Sequence, residues 1–321
     1  MTTSTPPIVE VPVGDANDPH PLALRESVKR TRKILSNPIS TLIVLVIVIL
    51  WTIPTLGLFV NSFRGKEDAA TTGWWNFFSS PSFSLDGYHS VLFDNGGTIL
   101  PLVNSLAITI PATIIPIFIA SMAAYIIAWV PFRGSNMIFF TIFALQVVPI
   151  QMALVPLQRF YVKGEILGVT VIPGGTHLAN TLAEIWLSHT MFSLPLAIFL
   201  LHNFIAQMPE SLIEAARVDG ASHLRIFRTI VLPLSMPAIA SFGIFQFLWV
   251  WNDLLVAKTF GGTDPAGQPI TVRLANLIGN FGAHQELLGP GGFIAIVVPL
   301  IVFLALQRYF VRGLLAGSVK G

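Results

Sequence analysis

The sequence predicts an all-α polytopic membrane protein with six transmembrane helices. One observation is a shortage of charge, because Lys, Arg, Asp and Glu make up 11% of the 321 residues, where a soluble globular protein carries roughly 25%. Another is the apolar content, which reaches 53% and raises the mean hydropathy to +0.73. Too little polar surface remains to cover a soluble particle, so a soluble enzyme, a disordered chain and a secreted disulfide-rich domain are disfavoured.

Long uncharged intervals locate the six spans. A bilayer core takes about 20 apolar residues in helical form, and six intervals between successive charged residues reach this length. A further interval, 166–183, contains Pro173, Gly174 and Gly175, so we expect a loop there with at most a short interfacial helix. The predicted spans are about 39–60, 104–130, 136–156, 186–207, 232–255 and 291–311.

The basic residues give the predicted orientation. Twelve of the 18 Lys and Arg residues fall in one set of alternate connections, and the positive-inside rule makes that set, with both termini, cytoplasmic. Residues 1–38 contain scattered Pro, Asp and Glu and no apolar stretch, so they do not read as a signal peptide. We expect 1–38 to be a disordered cytoplasmic tail with a basic anchor, and 39–321 to be the transmembrane domain.

The connection 208–231 is the longest on the predicted cytoplasmic side. Pro209 suits the first position of a helix, Gly220 is free to adopt positive φ, and Ser222 is a suitable N-cap for a second helix. An apolar stripe at helical spacing is formed by Leu212, Ile213 and Ala216. The pattern predicts a helix, a turn and a helix outside the membrane core, and an amphipathic linker that only spaces two spans fits it equally well.

The same connection carries a multi-position motif. Glu214-Ala215-Ala216 is followed after three residues by Gly220, and after nine more by Ile230, one residue and Leu232-Pro233. In this motif the segment resembles the loop of permease subunits of bacterial ABC importers. The resemblance implies that 208–231 is a coupling loop, whose first helix docks into a cleft of the ATP-binding subunit. The residues it implies for coupling are Glu214, Ala215, Ala216, Asp219, Gly220, Leu232 and Pro233.

This arrangement suits docking. Ala215 and Ala216 lack bulk, so a partner surface can approach the helix closely, and Glu214 offers a carboxylate for a charge-assisted hydrogen bond. Gly220 allows the second helix to point back towards the membrane.

The resemblance covers about residues 39–321. It is carried by Asn104-Ser105-Leu106, Ala123-Ala124-Tyr125, Trp251-Asn252-Asp253, Ile270-Thr271-Val272-Arg273-Leu274 and the ending 313–321. These segments are similar to the smaller, six-span permease of maltose-type transporters, and Thr72-Gly73-Trp74-Trp75 is similar to permeases assigned to α-glucosides. The fold implied is that of a type I ABC importer permease, and the function implied is half of a pore for an oligosaccharide or α-glucoside.

The resemblance also implies partners and a location. The partners are a second, larger permease subunit, a dimer of ATP-binding subunits that hold ATP and Mg, and an extracytoplasmic sugar-binding protein. The location is the bacterial inner membrane, among lipid. No cofactor is expected in this chain, and a net charge of +2 gives no reason to expect a nucleic-acid partner.

Motifs of enzymes are missing from the sequence. No Gly-x4-Gly-Lys-Ser/Thr phosphate loop occurs, so the chain is not its own ATPase by that route, and His-Glu-x-x-His is absent. The absence of cysteine excludes thiolate metal sites and cysteine nucleophiles. An intramembrane enzyme would need a reactive constellation that the sequence does not contain.

Polar side chains within the spans are candidates for a sugar path, since such residues are costly in lipid. Gln146 and Gln151 are favoured because they flank Pro149, which can open a cavity in the third span, and Asn104 and Gln246 are further candidates. The alternative is hydrogen bonding between helices. The remaining polar residues of this kind are His189, His202, Asn203 and Asn252.

Aromatic residues crowd the first outer connection, namely Trp74, Trp75, Phe77, Phe78, Phe83 and Tyr88. They fit a patch on the membrane surface or a docking site for a sugar-binding protein. For the chain as a whole, the rival interpretation is a secondary carrier or facilitator that works alone. The absence of ionisable residues from the middle of the spans disfavours a proton- or sodium-coupled carrier.

Overall fold

The computed structural model describes residues 38–261, 264, 267–279 and 284–318. Apart from Pro38, the predicted tail 1–38 lies outside the described residues. The helices are α1 (Pro38–Ser62), α2 (Lys66–Thr71), α3 (Asp86–Phe93), α4 (Ile99–Trp129), α5 (Ser135–Leu145), α6 (Ile150–Lys163), α7 (Leu182–Ile205), α8 (Glu210–Val218), α9 (His223–Ile226), α10 (Leu232–Trp251), α11 (Leu255–Phe260), α12 (Ile270–Ile278) and α13 (Leu288–Ser318).

Short elements fill some of the connections. Within the described residues, 3₁₀ turns cover Trp74–Phe78, Asp94–Gly96 and Gln285–Leu287, and a π-helical turn, Phe227–Val231, joins α9 to α10. The predicted loop 166–183 begins in a two-residue antiparallel hairpin, β1 (Glu165–Ile166) with β2 (Val169–Thr170), which the sequence did not predict.

The predicted all-α, six-span architecture is confirmed. Among the described residues, five helices are long and apolar enough to cross a bilayer, and α5 with α6 makes a sixth span if the pair is counted as one. The chain divides after Leu58 into two compact units. The first contributes the apolar helix segment 38–58, and the second, from Phe59 onward, contains everything described below.

The third span is not one straight helix over 136–156. α5 ends at Leu145, α6 begins at Ile150, and the two axes differ by 98°. Pro149 precedes α6 with an extended backbone, and its ring fixes φ and removes an N–H donor. The amides of residues 146–148 instead bond the carbonyls of 143–145 in tight turns. The proline therefore breaks the span in two.

The fourth span begins four residues before the predicted start at 186. The Thr181 side chain accepts a hydrogen bond from the Glu184 amide, while the Glu184 carboxylate accepts one from the Asn180 amide at 2.6 Å. These bonds satisfy free donors at the helix start in the manner of a capping box. Glu184 is buried inside the helix, so a boundary drawn after this charge falls too late.

Three helices form the centre of the second unit. α4 packs along α7, and α10 packs against α4, α7 and α13. Buried apolar side chains group into separate clusters, of which the largest joins α4, α7 and α10 to residues 208–231. Another joins α4, α6, α7 and α11. The coupling loop is therefore part of a helix core rather than a free linker.

Candidate functional site: the coupling loop and a cavity in the broken span

The coupling loop folds as a helix, a turn and a helix. α8 ends at Val218, and Gly220 then adopts φ of +75°, a conformation that glycine enters without steric cost. Ser222 accepts a hydrogen bond from the Arg225 amide at 3.4 Å and so caps α9. Gly220 and Ser222 thus lie in the conformations that the sequence predicts, while Pro209 occupies the N-cap rather than the first helical position.

The two faces of α8 differ sharply. Ile213 is 1% exposed, and Ala216 packs beside it against the core. Val218 on the other face is 87% exposed. The resemblance-implied coupling residues Glu214, Ala215, Asp219 and Gly220 are also exposed. The loop therefore turns Ile213 and the motif residue Ala216 inward, whereas Leu212 of the predicted stripe is exposed. Glu214, Ala215, Asp219 and Gly220 are left open to a partner.

The end of the loop runs directly into the fifth span. Val231 is fully buried, Leu232 is partly buried, and both belong to the core cluster of the loop. Leu232 is the first residue of α10, with Pro233 in its first turn. The last motif residues, Leu232 and Pro233, therefore lie in the first turn of α10.

The buried face of the coupling loop packs against the ends of two spans. Ile213 and Ile226 share one cluster with Ala124 of α4 and with Leu201 and Ile205 of α7. Packed apolar side chains of this kind resist separation, because protein interiors are close-packed.

Hydrogen bonds tie the loop to the same helix ends. Arg217 Nη2 donates to the Trp129 carbonyl at 2.7 Å, and Trp129 Nε1 donates to the Ile205 carbonyl at 3.1 Å. The Tyr125 hydroxyl lies 3.0 Å from His223 Nδ1. Sequence reasoning missed these contacts, since two of the three acceptors are backbone carbonyls and carry no side-chain signal.

A groove of about 620 Å³ runs between the end of α4 and α8. Trp129, Phe132 and Arg133 form one wall, and Glu210 and Glu214 lie on the other. Charges of both signs at its rim are suited to polar contacts with a protein partner.

A cavity of about 560 Å³ opens at the break in the third span. It is lined by Leu145–Ile150, Ala153, Met191, Phe192, Ser193, Pro195, Leu196, Phe245, Gln246 and Trp249. The break thus brings two of the four predicted path residues, Gln146 and Gln246, to one cavity. Gln151 and Asn104 do not line it.

Two of the predicted path residues form hydrogen bonds to backbone. Gln246 Nε2 donates to the Ala112 carbonyl at 3.0 Å, linking α10 to α4. Asn104 Nδ2 donates to the Gln268 carbonyl at 3.1 Å. The alternative of bonding between elements therefore applies to both, and Gln146 is the candidate that lines the cavity without such a bond in the described chain.

A buried polar contact joins α7 to the segment after α10. His189 Nε2 lies 3.5 Å from Asp253 Oδ2, and the Ala257 amide donates to the same carboxylate oxygen at 2.9 Å. Thr271 Oγ1 donates to the Asp253 carbonyl at 2.7 Å. The sequence singles out His189 as a polar residue of a span and Asp253 only within the segment Trp251-Asn252-Asp253, so this pairing was missed.

The aromatic residues of the first predicted outer connection are partly packed and partly exposed. Phe63 stacks on Phe83 with ring centroids 5.5 Å apart, and the Tyr88 hydroxyl donates to Ser62 Oγ at 2.9 Å. Trp75 and Phe78 stay largely exposed. This exposed apolar surface is open to lipid or to protein, and both interpretations remain predictions.

Comparison with known proteins gives consistent matches. The family model described as "Binding-protein-dependent transport system inner membrane component" matches residues 116–316. The osmoprotective compounds uptake permease protein GgtD of Synechocystis is 50% identical over 86% of this chain and 90% of its own length. The alpha-glucoside transport system permease protein AglG of Rhizobium meliloti is 39% identical over 87% and 96%.

A solved structure shares the fold. A chain of a bacterial ABC transporter involved in the import of alginate superposes with a TM-score of 0.67 at 19% identity, over 87% of this chain and 98% of that chain. A second structure, of an alginate ABC transporter in complex with a periplasmic protein, gives 0.62 at 16% identity over 86% and 95%. At these identities the likeness concerns the fold.

Proposed function

Because the chain belongs to the family of binding-protein-dependent transport system inner membrane components, we propose that it forms half of the translocation path of an ATP-driven ABC importer for a sugar. An oligosaccharide or α-glucoside is the favoured substrate. The observation that carries the proposal is the coupling loop, with motif residues exposed on one face and Ile213 sealed into the helix core on the other.

The substrate class is supported by the relatives. One is named for alpha-glucoside transport and another for the uptake of osmoprotective compounds. Others are named for glucose import and for melibiose, raffinose and stachyose import.

The partners follow from the way such a permease works. The chain holds the pore half, so ATP and Mg are bound by a dimer of separate ATP-binding subunits, which dock on the exposed face of α8. A second, larger permease completes the path, and an extracytoplasmic sugar-binding protein delivers the substrate. The chain lies in the inner membrane with the coupling loop and both termini in the cytoplasm, as the distribution of basic residues favours.

Disruption of the coupling loop tests the proposal. Glu214→Lys with Gly220→Pro should abolish ATP-dependent sugar uptake by membrane vesicles that contain the whole transporter. The lysine reverses the charge offered to the partner, and proline cannot adopt the φ of +75° found at Gly220. Normal uptake by this double variant would refute the proposal.

A matched control comes from another exposed acid and another open turn. Gly168 has φ of +84° and, like Gly220, has no neighbouring atom within 4 Å of the place that a Cβ would occupy. Glu67 is exposed, as Glu214 is. Glu67→Lys with Gly168→Pro should retain uptake.

The rival carrier is tested by reconstituting the chain alone in liposomes. Gradient-driven sugar flux without any ATP-binding subunit would favour a secondary carrier. No flux alone, and ATP-driven flux once the partners are added, would favour the importer.

Within the importer, the cavity at the broken span is where the sugar passes this chain. Gln146 supplies an amide that can donate and accept hydrogen bonds, and the rings of Trp249 and Phe245 supply flat apolar faces. Gln146→Ala should raise the sugar concentration for half-maximal uptake about tenfold, the effect of losing about 1.4 kcal/mol. Gln151→Ala, close by but outside the cavity lining, should leave it unchanged, and equal effects of the two would count against the cavity.

A further inference from the structure

We propose that Arg217, Trp129 and Tyr125 are positioning residues, which carry the movement of the coupling loop to the adjoining ends of α4 and α7. This inference rests on the proposed function, because it describes how a movement driven by an ATP-binding subunit would pass from the coupling loop to the spans. It assigns the route to three hydrogen bonds rather than to the exposed motif residues.

Arg217 joins the end of one helix to the end of another. It lies in the last turn of α8, and its guanidinium donates to the carbonyl of Trp129 at 2.7 Å. Trp129 is the last residue of α4, so its carbonyl has no acceptor role within the helix. A cation at this position also suits the negative end of the α4 dipole. The bond therefore fixes the position of α8 relative to the axis of α4.

Trp129 extends the connection to a third helix. Its indole N–H donates to the carbonyl of Ile205 at 3.1 Å, and Ile205 is the last residue of α7. The Met208 amide donates to the same carbonyl at 3.2 Å, which the two lone pairs of the oxygen allow. Arg217, Trp129 and Ile205 thus connect the ends of α8, α4 and α7 in series.

Tyr125 makes a second, parallel connection one turn further into α4. Its side chain is buried in the core cluster of the loop, while its hydroxyl lies 3.0 Å from His223 Nδ1 at the start of α9. The ring of Tyr125 also packs on Phe227, with centroids 5.5 Å apart. α4 is therefore held by both helices of the coupling loop, one on each side of Gly220.

The apolar cluster alone does not fix the direction of a movement. Hydrophobic contact is non-directional, so packed helices slide over one another by small shifts. Hydrogen bonds to helix-end carbonyls fix the register between the loop and the spans, because they depend on distance and angle. Removing them should let the loop follow its partner while α4 and α7 lag behind.

The test measures coupling in the whole transporter. The complete complex is reconstituted in proteoliposomes, and sugar imported per ATP hydrolysed is measured for Arg217→Ala, Trp129→Phe and Tyr125→Phe. Each variant should lower this ratio by about fivefold or more, the low end of usual couplings between sites, while ATP hydrolysis continues. Arg217→Lys, which keeps a cationic donor, should recover part of the ratio.

The chain offers two matched controls. The buried hydroxyl of Tyr161 lies 3.2 Å from Ser188 Oγ in a different cluster, so Tyr161→Phe removes an equivalent group away from the loop. Arg228 lies on the loop segment, exposed, and forms no side-chain hydrogen bond within the described chain. Tyr161→Phe and Arg228→Ala should keep the ratio of the unmodified complex.

Each outcome is decisive. An unchanged ratio in Tyr125→Phe and Arg217→Ala would overturn the inference. So would loss of the ATP-binding subunits from the purified Arg217→Ala complex, since Arg217 would then belong to the docking surface. If Arg217→Ala does not enter the membrane, Tyr125→Phe, which removes a single oxygen, decides. If the unmodified complex shows no ATP-driven uptake, the proposed function has failed instead.

Discussion

The two ends of the second unit are held together by different kinds of contact. At the loop end, defined by residues 208–231 and the adjoining ends of α4 and α7, buried Ile, Leu and Phe side chains form one continuous cluster. At the stitched end, defined by residues 61–105 and the described part of 252–287 (252–261, 264, 267–279 and 284–287), separate polar side chains bond the backbone of irregular segments. The loop end thus combines a continuous apolar cluster with the directional bonds of Arg217, Trp129 and Tyr125. At the stitched end, separate polar contacts hold short segments in place.

The stitched end adds polar contacts to apolar packing, since Phe260 and Ile270 lie in buried apolar clusters. Ser105 Oγ accepts from the Ile270 amide at 2.8 Å, and Arg273 Nε donates to the Gly97 carbonyl at 3.1 Å. Arg64 is buried and donates to the Asn61 side chain and to the Thr72 and Gly73 carbonyls. Because these carbonyls lie outside regular helices, side chains satisfy them in place of the helical ladder.

The largest expected effect is a loss of stability caused by a substitution at the loop end. Ile213→Ala should lower the free energy of unfolding by about 2 to 5 kcal/mol, since it leaves a cavity in the cluster. Thermal unfolding of the purified chain in detergent measures this loss. Val218→Ala, on the same helix but 87% exposed, should change stability by less than about 0.5 kcal/mol, and equal losses in the two variants would contradict the sealed inner face.

An intermediate effect is expected at the stitched end. Arg64→Met keeps much of the side-chain volume but removes the donors to the carbonyls of Thr72 and Gly73. The loss should be about 1.5 to 3 kcal/mol, the contribution of one hydrogen bond to a charged group, because Thr72 is exposed and water can replace the lost donor there. It should also stay local. Limited proteolysis should cut residues 61–80 faster, while thermal unfolding shifts less than in Ile213→Ala. A global loss as large as that of Ile213→Ala would remove the contrast between the two ends.

The smallest effect concerns Glu286, also at the stitched end. Burial alone would raise the pKa of this carboxyl, but a backbone hydrogen bond, the His284 side chain and the charge of Lys66 outweigh it, and the pKa lies below its ordinary value of 4.5. A lowered pKa in the folded state stabilises the protein above pH 4.5, and this contribution is lost as pH falls through the folded value. Lys66 Nζ lies 3.6 Å away and is largely exposed, so the pair contributes less than about 1 kcal/mol.

A pH series on one variant isolates this contribution. Below pH 4.5, the unfolding temperature should fall more steeply for the unmodified chain than for Glu286→Gln, which has no proton to gain at this position. Identical slopes for the two proteins would show that the carboxylate contributes nothing.

The sequence predicts the loop end better than the stitched end, for physical reasons. Gly220 and Ser222 act through local backbone conformation, which residue type reveals directly. The bend at Pro149 was foreseen as a local opening, but its angle depends on packing. The charge-based boundary at Glu184 was late because this carboxylate serves its own helix start. Contacts such as Arg217 with the Trp129 carbonyl join distant segments through backbone atoms, so no pattern in the sequence marks them.

The π-helical turn Phe227–Val231 at the base of α10 sets the rotational phase of the span above it. A π turn accommodates one residue more than an α turn, and one residue corresponds to about 100° of rotation around a helix axis. The extra residue in this turn therefore sets the direction of Gln246 and Trp249, which lie further along α10 and face the cavity at the broken span. Running the same residues as an uninterrupted α-helix would turn both about 100° away from the cavity without altering any residue that lines it.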